Sequence, residues 1–306
     1  MRLIAAFLRL VRWPNLVFIV LTQLLFYYCI YLALYKSHAG SSRIFWLIGA
    51  SVSIAAAGYI INDYFDLNID LINKPNKNVI DITISRRWAI VWHLFLSLFG
   101  IIATVIAVSL SKWYLVLANI ACVALLWFYS TSLKCQVLIG NVIISLLTAW
   151  TVLIIFFSSV PLESALGTND EAMVKFFRLA FLYAGFAFII SLIREAIKDI
   201  QDMNGDAQYG CKTLPLIAGV NATKIYTAVW LIVLIAVLLI LQLYVLQFKW
   251  WLVVLYSLFL IISPLVYVLI QIFRAKSSQQ FGRLSSVTKF IMFTGILSMI
   301  FFRIYF

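Results

Sequence analysis

The chain has 306 residues, of which 65% are apolar and only 11% are charged. A soluble domain is typically about 45–50% apolar and about 25% charged, so this composition excludes an ordinary soluble enzyme, and it also excludes a disordered chain. The net charge of +12 comes from Lys and Arg residues in short segments between long apolar runs. In such segments basic residues set membrane orientation and contact lipid headgroups, so we expect membrane lipids, and no nucleic acid, as their partners.

Nine apolar runs are long enough to cross a membrane, because a spanning helix needs about 20 residues. They are predicted at 14–35, 43–63, 88–110, 113–130, 137–158, 174–194, 222–246, 250–273 and 287–305. The expected fold is therefore all-α and polytopic. No linker or change of composition marks a boundary, so residues 1–306 are predicted to form a single domain.

The distribution of basic residues predicts the orientation. With the N-terminus inside, most Lys and Arg residues fall in the N-terminal tail and in the connections that follow the second, fourth, sixth and eighth helices. This bias indicates a cytoplasmic N-terminus in an inner or plasma membrane. The four cysteines lie at positions 29, 122, 135 and 211 without C-x-x-C spacing, so neither a metal site nor a disulfide framework is expected.

Most of the 11 acidic residues fall in two clusters, each at the predicted cytoplasmic end of a spanning helix. Each cluster has helical spacing that places its carboxylates on one face. The first acidic row comprises Asp63, Asp66 and Asp70; the second acidic row comprises Glu195, Asp199, Asp202 and Asp206. Like charges in such a row repel, and desolvation near a membrane adds to the cost, so the pattern suggests a bound cation between the rows.

Oxygen ligands suit hard cations, and Mg²⁺ binds one or two carboxylates together with substrate phosphates. Two carboxylate rows at a membrane surface would therefore suit Mg²⁺ ions that hold a diphosphate. Lysines near the rows would act as point charges against that anion. These lysines are Lys74, Lys134, Lys198 and Lys212. The positive charge of each lysine on the cytoplasmic side is also explained by its contribution to membrane orientation. Lys134 and Lys212 are the stronger candidates for a role at the site.

With both rows in view, the chain resembles the UbiA superfamily of intramembrane prenyltransferases. The N-D-x-x-D-x-x-x-D motif of that family is matched by residues 62–70, and its second Asp-rich motif by residues 202–206, with Asp199 one turn earlier. Further similar stretches are Arg12-Trp13-Pro14-Asn15, Tyr129-Ser130, Gly140-Asn141 and Lys212-Thr213-Leu214-Pro215. The resemblance implies nine transmembrane helices around a central cavity with a cytoplasmic cap, and Mg²⁺-dependent transfer of a prenyl group from a prenyl diphosphate.

The resemblance also implies roles for individual residues. The implied metal ligands are Asp63, Asp66, Asp202 and Asp206. The implied catalytic residues are Asp66, Asp70, Asp199, Lys134 and Lys212. The implied substrate-binding residues are Asn62, Lys74, Tyr129, Asn141 and Lys198.

The acceptor is less closely defined. Residues 198–215 are most similar to the digeranylgeranylglyceryl phosphate synthase branch, whose acceptor is the ether lipid geranylgeranylglyceryl phosphate, although the stretch after Lys74 departs from the family's R-P-x-x-S-G pattern. One alternative keeps the chemistry but uses an aromatic acceptor of the 4-hydroxybenzoate type, as in quinone biosynthesis. A more remote alternative is a cation transporter, which predicts acids near the bilayer midplane, whereas these acids lie at helix ends.

Overall fold

The structure is a computed structural model that describes residues 2–36, 41–73, 80–81, 83–160 and 170–305. Within these residues, nine helices are long and apolar enough to cross a membrane. These first to ninth spanning helices are Trp13–Leu34, Arg43–Phe65, Arg86–Ala107, Trp113–Thr131, Ile139–Ser159, Glu171–Gln208, Val220–Leu246, Trp251–Arg274 and Ser278–Tyr305. The predicted all-α, nine-span architecture is confirmed.

Short helices flank several of the spans. Arg2–Leu10 precedes the first spanning helix, Leu67–Asn73 follows the second, and Leu214–Ile217 precedes the seventh. Arg12 lies between the helix Arg2–Leu10 and the first spanning helix, and it has a left-handed backbone with φ 52°. That conformation is costly for a residue with a Cβ, so side-chain contacts of Arg12 must offset it.

Two spans are longer than hydropathy alone predicts. The sixth was expected at 174–194 but continues to Gln208. The residues of the second acidic row are helical although they are polar, so hydropathy does not detect this part of the helix. The ninth was expected from 287 but begins at Ser278, where a capping box joins Ser277 and Gln280. Each of these two side chains accepts a hydrogen bond from the backbone of the other, which satisfies donors that a helix start leaves unpaired.

The chain divides into two compact units. The first comprises residues 1–134 and 150–181, and within it the N-terminal helix buries Ala6 and Leu10 in one cluster with Ala56, Ile60 and Ala89. The second comprises residues 135–149 and 182–306. Its core is a larger aliphatic cluster that includes Ile193, Leu231, Leu265, Val268 and Ile291. That residues 1–306 act as a single domain stays a prediction.

Large apolar side chains are abundant on the outer surfaces of the spans. On the seventh spanning helix Ile240 is 66% exposed and Leu243 is 67% exposed, and on the eighth Phe259 is 70% exposed. In water such an apolar surface would cause aggregation, whereas lipid tails solvate it favourably. Together with the nine apolar helices, this surface identifies an integral membrane protein.

Within the first unit, the second and third spanning helices approach closely at Gly100. A Cβ at this position would lie 2.6 Å from Ile54 Cγ1 and 3.2 Å from the Ala50 carbonyl oxygen. Small residues at such points let helix backbones pack against each other in a bilayer, where lipid removes the hydrophobic drive for association. His93 adds a polar link between the same helices, since its Nδ1 lies 3.0 Å from the Ala57 carbonyl oxygen.

We expect Gly100→Val to separate these two helices and lower the stability of the protein by about 1–3 kcal/mol, the usual cost of overpacking. The measurement is the thermal unfolding midpoint in one detergent. Gly49→Val on the second spanning helix is the matched control, because nothing lies within 4 Å of a Cβ built at Gly49. Equal midpoints for the two variants would contradict the close approach at Gly100.

Candidate active site

The first acidic row lies where the second spanning helix ends. Asn62 and Asp63 belong to its last turn, and Asp66 follows the helix with φ −84° and ψ −1°. The Asp66 N–H donates to the Asn62 carbonyl oxygen at 2.9 Å, and the Asp70 N–H donates to the Asp66 carbonyl oxygen at 2.8 Å. The helix bends at Asp66 and resumes in Leu67–Asn73, but the i to i−4 hydrogen bonds continue through the bend. The predicted helical register of the three carboxylates is therefore kept.

Two carboxylates of this row are paired with cations. Arg12 Nη2 donates to Asp63 Oδ1 at 2.5 Å, and Lys134 Nζ forms an ion pair with Asp66 Oδ1. Burial lowers the pKa of the Arg12 guanidinium, but the charge of Asp63 and contributions from Tyr59 outweigh it and raise the pKa overall, so Arg12 stays protonated. Its guanidinium carbon also lies 5.2 Å from the centre of the Tyr59 ring, a cation–π contact.

Arg12 is a site residue that the sequence reasoning missed. It was assigned only to the start of the first spanning helix and to the positive charge of the N-terminal tail. The structure shows that its side chain reaches a carboxylate 51 positions later in the chain. The Arg-Trp-Pro-Asn stretch was the available signal, because an arginine directly before a helix start lies where it can meet the end of a neighbouring antiparallel helix.

Asn62 supplies an unused oxygen to the same row. Its Nδ2 donates to Asp66 Oδ2 at 2.7 Å, while its Oδ1 is buried and accepts no hydrogen bond from the described residues. A buried acceptor without a partner costs free energy, and a cation or a donor on a bound ligand would satisfy it. The row thus offers carboxylate and amide oxygens only, which is the donor set that Mg²⁺ prefers.

The second acidic row lies on the sixth spanning helix, which is continuous across it, so the predicted single face is confirmed. Glu195 is buried and accepts hydrogen bonds from Arg194 Nη1 at 2.8 Å and from Lys198 Nζ at 3.0 Å. Its charge is therefore compensated within the same helix turn. Lys198 was predicted to bind substrate, and in the structure its ammonium forms an ion pair with this carboxylate.

Asp199 is held by a different helix. Asn141, buried near the start of the fifth spanning helix, donates from Nδ2 to Asp199 Oδ2 at 2.8 Å. This hydrogen bond fixes the rotamer of the Asp199 side chain. The structure thus joins two residues that the sequence placed at the site separately, 58 positions apart.

The end of the sixth spanning helix corrects one sequence expectation. No disulfide was expected from the cysteine spacing, but Cys135 and Cys211 form one, with a Cα–Cα distance of 4.4 Å and a separation of 76 residues. Sequence spacing could not reveal this pair, because it depends on how two distant connections meet. In addition, the Lys212 N–H donates to the Cys135 carbonyl oxygen at 2.7 Å.

The remaining predicted site residues have varied surroundings. Tyr129 lies half-buried near the end of the fourth spanning helix, Asp202 and Asp206 are half-buried, and Lys212 is exposed. Lys74 lies outside the described residues. Among the residues that are described, no three His, Cys, Asp or Glu side chains form a group that could hold a metal ion by themselves. A metal at either row would therefore need further ligands, such as phosphate oxygens and water.

Comparisons with known proteins identify the family of this chain. A family model described as the UbiA prenyltransferase family matches residues 6–294. The digeranylgeranylglyceryl phosphate synthase of Methanospirillum hungatei is 32% identical over 187 residues, which is 61% of this chain and 61% of that protein. The matched segment thus spans less than two thirds of that relative.

Solved structures share the fold. A structure of a digeranylgeranylglyceryl phosphate synthase aligns over 100% of both chains with 22% identity and a TM-score of 0.63. A UbiA homologue from Archaeoglobus fulgidus, bound to DMAPP and Mg²⁺, aligns over 96% of this chain and 98% of that chain, with 15% identity and a TM-score of 0.58. At these identities the alignments establish the fold.

Proposed function

The chain belongs to the UbiA prenyltransferase family, and we propose that it transfers a prenyl group from a prenyl diphosphate to a lipid acceptor with the help of Mg²⁺. The observation that carries this proposal is the first acidic row. Its carboxylates and the unpaired Asn62 oxygen lie at a helix end beside two cations, which is an arrangement suited to a metal–diphosphate ligand. The family match favours this enzyme over the cation transporter.

The ion pair between Asp66 and Lys134 suggests how the first row would receive its ligand. A metal–diphosphate complex brings both positive and negative charge, so Asp66 would turn to the metal while the Lys134 ammonium would turn to a phosphate oxygen. Neither charge is then left uncompensated, which avoids the several kcal/mol that an unpaired buried charge costs. Arg12 would keep Asp63 oriented through the same exchange.

We propose the same division of roles for the second row. Asp202 and Asp206 would hold Mg²⁺, and Asp199 would support the site from the fixed rotamer that Asn141 provides. Lys212 would contact the diphosphate, since its side chain is exposed while its backbone is anchored to Cys135. Lys198 and Tyr129 would contact substrate, as would Lys74 outside the described residues.

The chemistry requires charge stabilisation on the leaving group. When bound, Mg²⁺ would act as a Lewis acid on the diphosphate oxygens. The bond between the prenyl carbon and the diphosphate oxygen would break with its electron pair on the diphosphate, and the proposed role of Lys134 and of Lys212 is to stabilise negative charge on that leaving group. The allylic carbon would then bond to an acceptor oxygen, whose proton would pass to the released diphosphate or to water, and Asp70 would orient the reacting groups.

For the acceptor, we propose geranylgeranylglyceryl phosphate, which would make the product an ether lipid. The similarity to a synthase of this kind at 32% identity supports the choice, as does the stretch from Lys198 to Pro215. A homologue bound to DMAPP and Mg²⁺ supports the donor class and the metal. The positive charge of the N-terminal tail further supports an active site that faces the cytoplasm.

Removal of the metal should abolish transfer, and removal of one acid should lower it strongly. We expect EDTA to stop incorporation of an isotopically labelled prenyl group, and excess Mg²⁺ to restore it. Asp66→Asn and Asp202→Asn should each lower kcat/KM by about 100-fold or more, the scale of losing one group that stabilises transition-state charge.

Two matched control variants each remove a carboxylate that lies outside the two acidic rows. Glu171→Gln changes an acid that is 83% exposed at the other end of the helix that carries the second row. Asp81→Asn changes an exposed acid paired with Arg86. Both should keep nearly full activity. Full activity in EDTA, or equal losses in the control and row variants, would contradict the proposed metal role.

The acceptor can be decided by direct competition. Geranylgeranylglyceryl phosphate and 4-hydroxybenzoate would be offered together with one labelled prenyl diphosphate, and the products identified by mass spectrometry. We expect the ether lipid to be the main product. Exclusive prenylation of 4-hydroxybenzoate would replace the proposed acceptor with an aromatic one while keeping the donor chemistry.

A further inference from the structure

The C-terminal end of the sixth spanning helix has a defined cap directly after the second acidic row. Gly210 has φ +70°, a left-handed conformation that glycine adopts without steric cost. The Gly210 N–H donates to the Ala207 carbonyl oxygen at 3.3 Å, and the Cys211 N–H donates to the Asp206 carbonyl oxygen at 3.0 Å. These two bonds form a Schellman motif, so Cys211 is fixed relative to Asp206.

The disulfide also restrains the residues that follow this cap. Cys211 is bonded to Cys135, and the next residue, Lys212, donates its N–H to the Cys135 carbonyl oxygen. Cys211 and Thr213 are 8% and 4% exposed, whereas Lys212 between them is exposed. The residues on both sides of Lys212 are therefore packed into the protein, whereas Lys212 itself is exposed.

Of the two disulfide cysteines, Cys135 is the more exposed. Cys135 is half-buried and lies between the fourth and fifth spanning helices, at a helix end. The other two cysteines, Cys29 and Cys122, are buried on spanning helices and are not part of this disulfide. On the orientation proposed above, the disulfide faces the cytoplasm, where stable disulfides are rare and those that form are usually transient or redox-sensing.

We propose that the Cys135–Cys211 disulfide is a reversible tie that positions Lys212 for the diphosphate and makes substrate binding depend on the thiol state. A cellular dithiol of the thioredoxin type would donate two electrons and two protons. The S–S bond breaks, two thiols form, and the reductant becomes a disulfide. This inference rests on the proposed function, because it assigns Lys212 to the diphosphate.

In the reduced protein, the Lys212 backbone keeps its hydrogen bond to Cys135 but loses the covalent link beside it. The connection after Gly210 then gains conformational freedom, which must be lost again when substrate binds. We expect KM for the prenyl diphosphate to rise about tenfold, the scale of weakening one hydrogen bond to a charged group. The value of kcat should change much less, since the carboxylate rows are untouched.

The experiment uses full-length protein carrying Cys29→Ala and Cys122→Ala, so that every remaining thiol belongs to the pair. Alkylation followed by intact-mass measurement should show no adduct before treatment with a phosphine reductant and two adducts after it. KM and kcat are measured in both states and again after reoxidation with glutathione disulfide. The rise in KM should reverse on reoxidation.

Two variants separate positioning from simple stabilisation. Cys135→Ser with Cys211→Ser should have the high KM permanently and ignore the reductant. Lys212→Met should form the disulfide yet show no change of KM on reduction, because the group that the disulfide positions is missing. A purely structural disulfide would instead lower the unfolding temperature on reduction while leaving KM unchanged, and that result would overturn the proposal.

Failure of the proposed function would look different. If no prenyl transfer occurs at all, calorimetric binding of magnesium diphosphate is compared before and after reduction. A weaker affinity in the reduced state, reversed by reoxidation, would support the tie without the enzyme activity. Equal affinities, or two adducts in protein that was never reduced, would overturn it.

Discussion

Compensation of buried negative charge is the constraint on which the rest of this structure depends. The chain is 65% apolar, and its carboxylates lie at helix ends where water is scarce, so each one must find a positive charge or a donor nearby. Asp63 is met by Arg12, Asp66 by Lys134, and Asp199 by Asn141. These contacts connect segments that are far apart in sequence, so they position helices as well as neutralise charge.

The strained turn at Arg12 illustrates this coupling of packing and charge. A left-handed backbone at a residue with a side chain is costly, by about 1–2 kcal/mol. At Arg12 it turns the chain from the N-terminal helix into the first spanning helix and brings the guanidinium to Asp63 and the Tyr59 ring. The ion pair and the cation–π contact therefore offset the strain, and the turn keeps the cation at the first acidic row.

Hydropathy and spacing were sufficient to predict much of the fold. The seventh span was predicted at 222–246 and is Val220–Leu246, because a long apolar run leaves few alternatives to a spanning helix. The sixth was predicted too short, since its last turns carry the second acidic row and are too polar to be predicted as part of a spanning helix. The helical spacing of those acids was the better guide there, as it required a helix beyond residue 194.

Side-chain partners were much less predictable. Spacing placed Asp66 and Lys134 as separate candidates, but only the three-dimensional structure shows that they form an ion pair. The Cys135–Cys211 disulfide was not expected at all, since it depends on the approach of two connections whose lengths leave many arrangements open. The unpaired Asn62 oxygen is likewise invisible in sequence, because burial and partners are properties of the folded chain.

The paired state of the acids bears on how a metal would bind. A group of three unpaired carboxylates, ready for Mg²⁺ without substrate, would repel internally and would be costly in so apolar a chain. No such group is found among the described residues, and the acids with known partners are held by cations or amides. On the proposed function, substrate phosphates would supply the missing ligands and take over the lysines, so metal and diphosphate would bind together. The position of Lys212 is important for the same reason. A lysine that is already positioned for phosphate loses less conformational entropy when metal and diphosphate bind together.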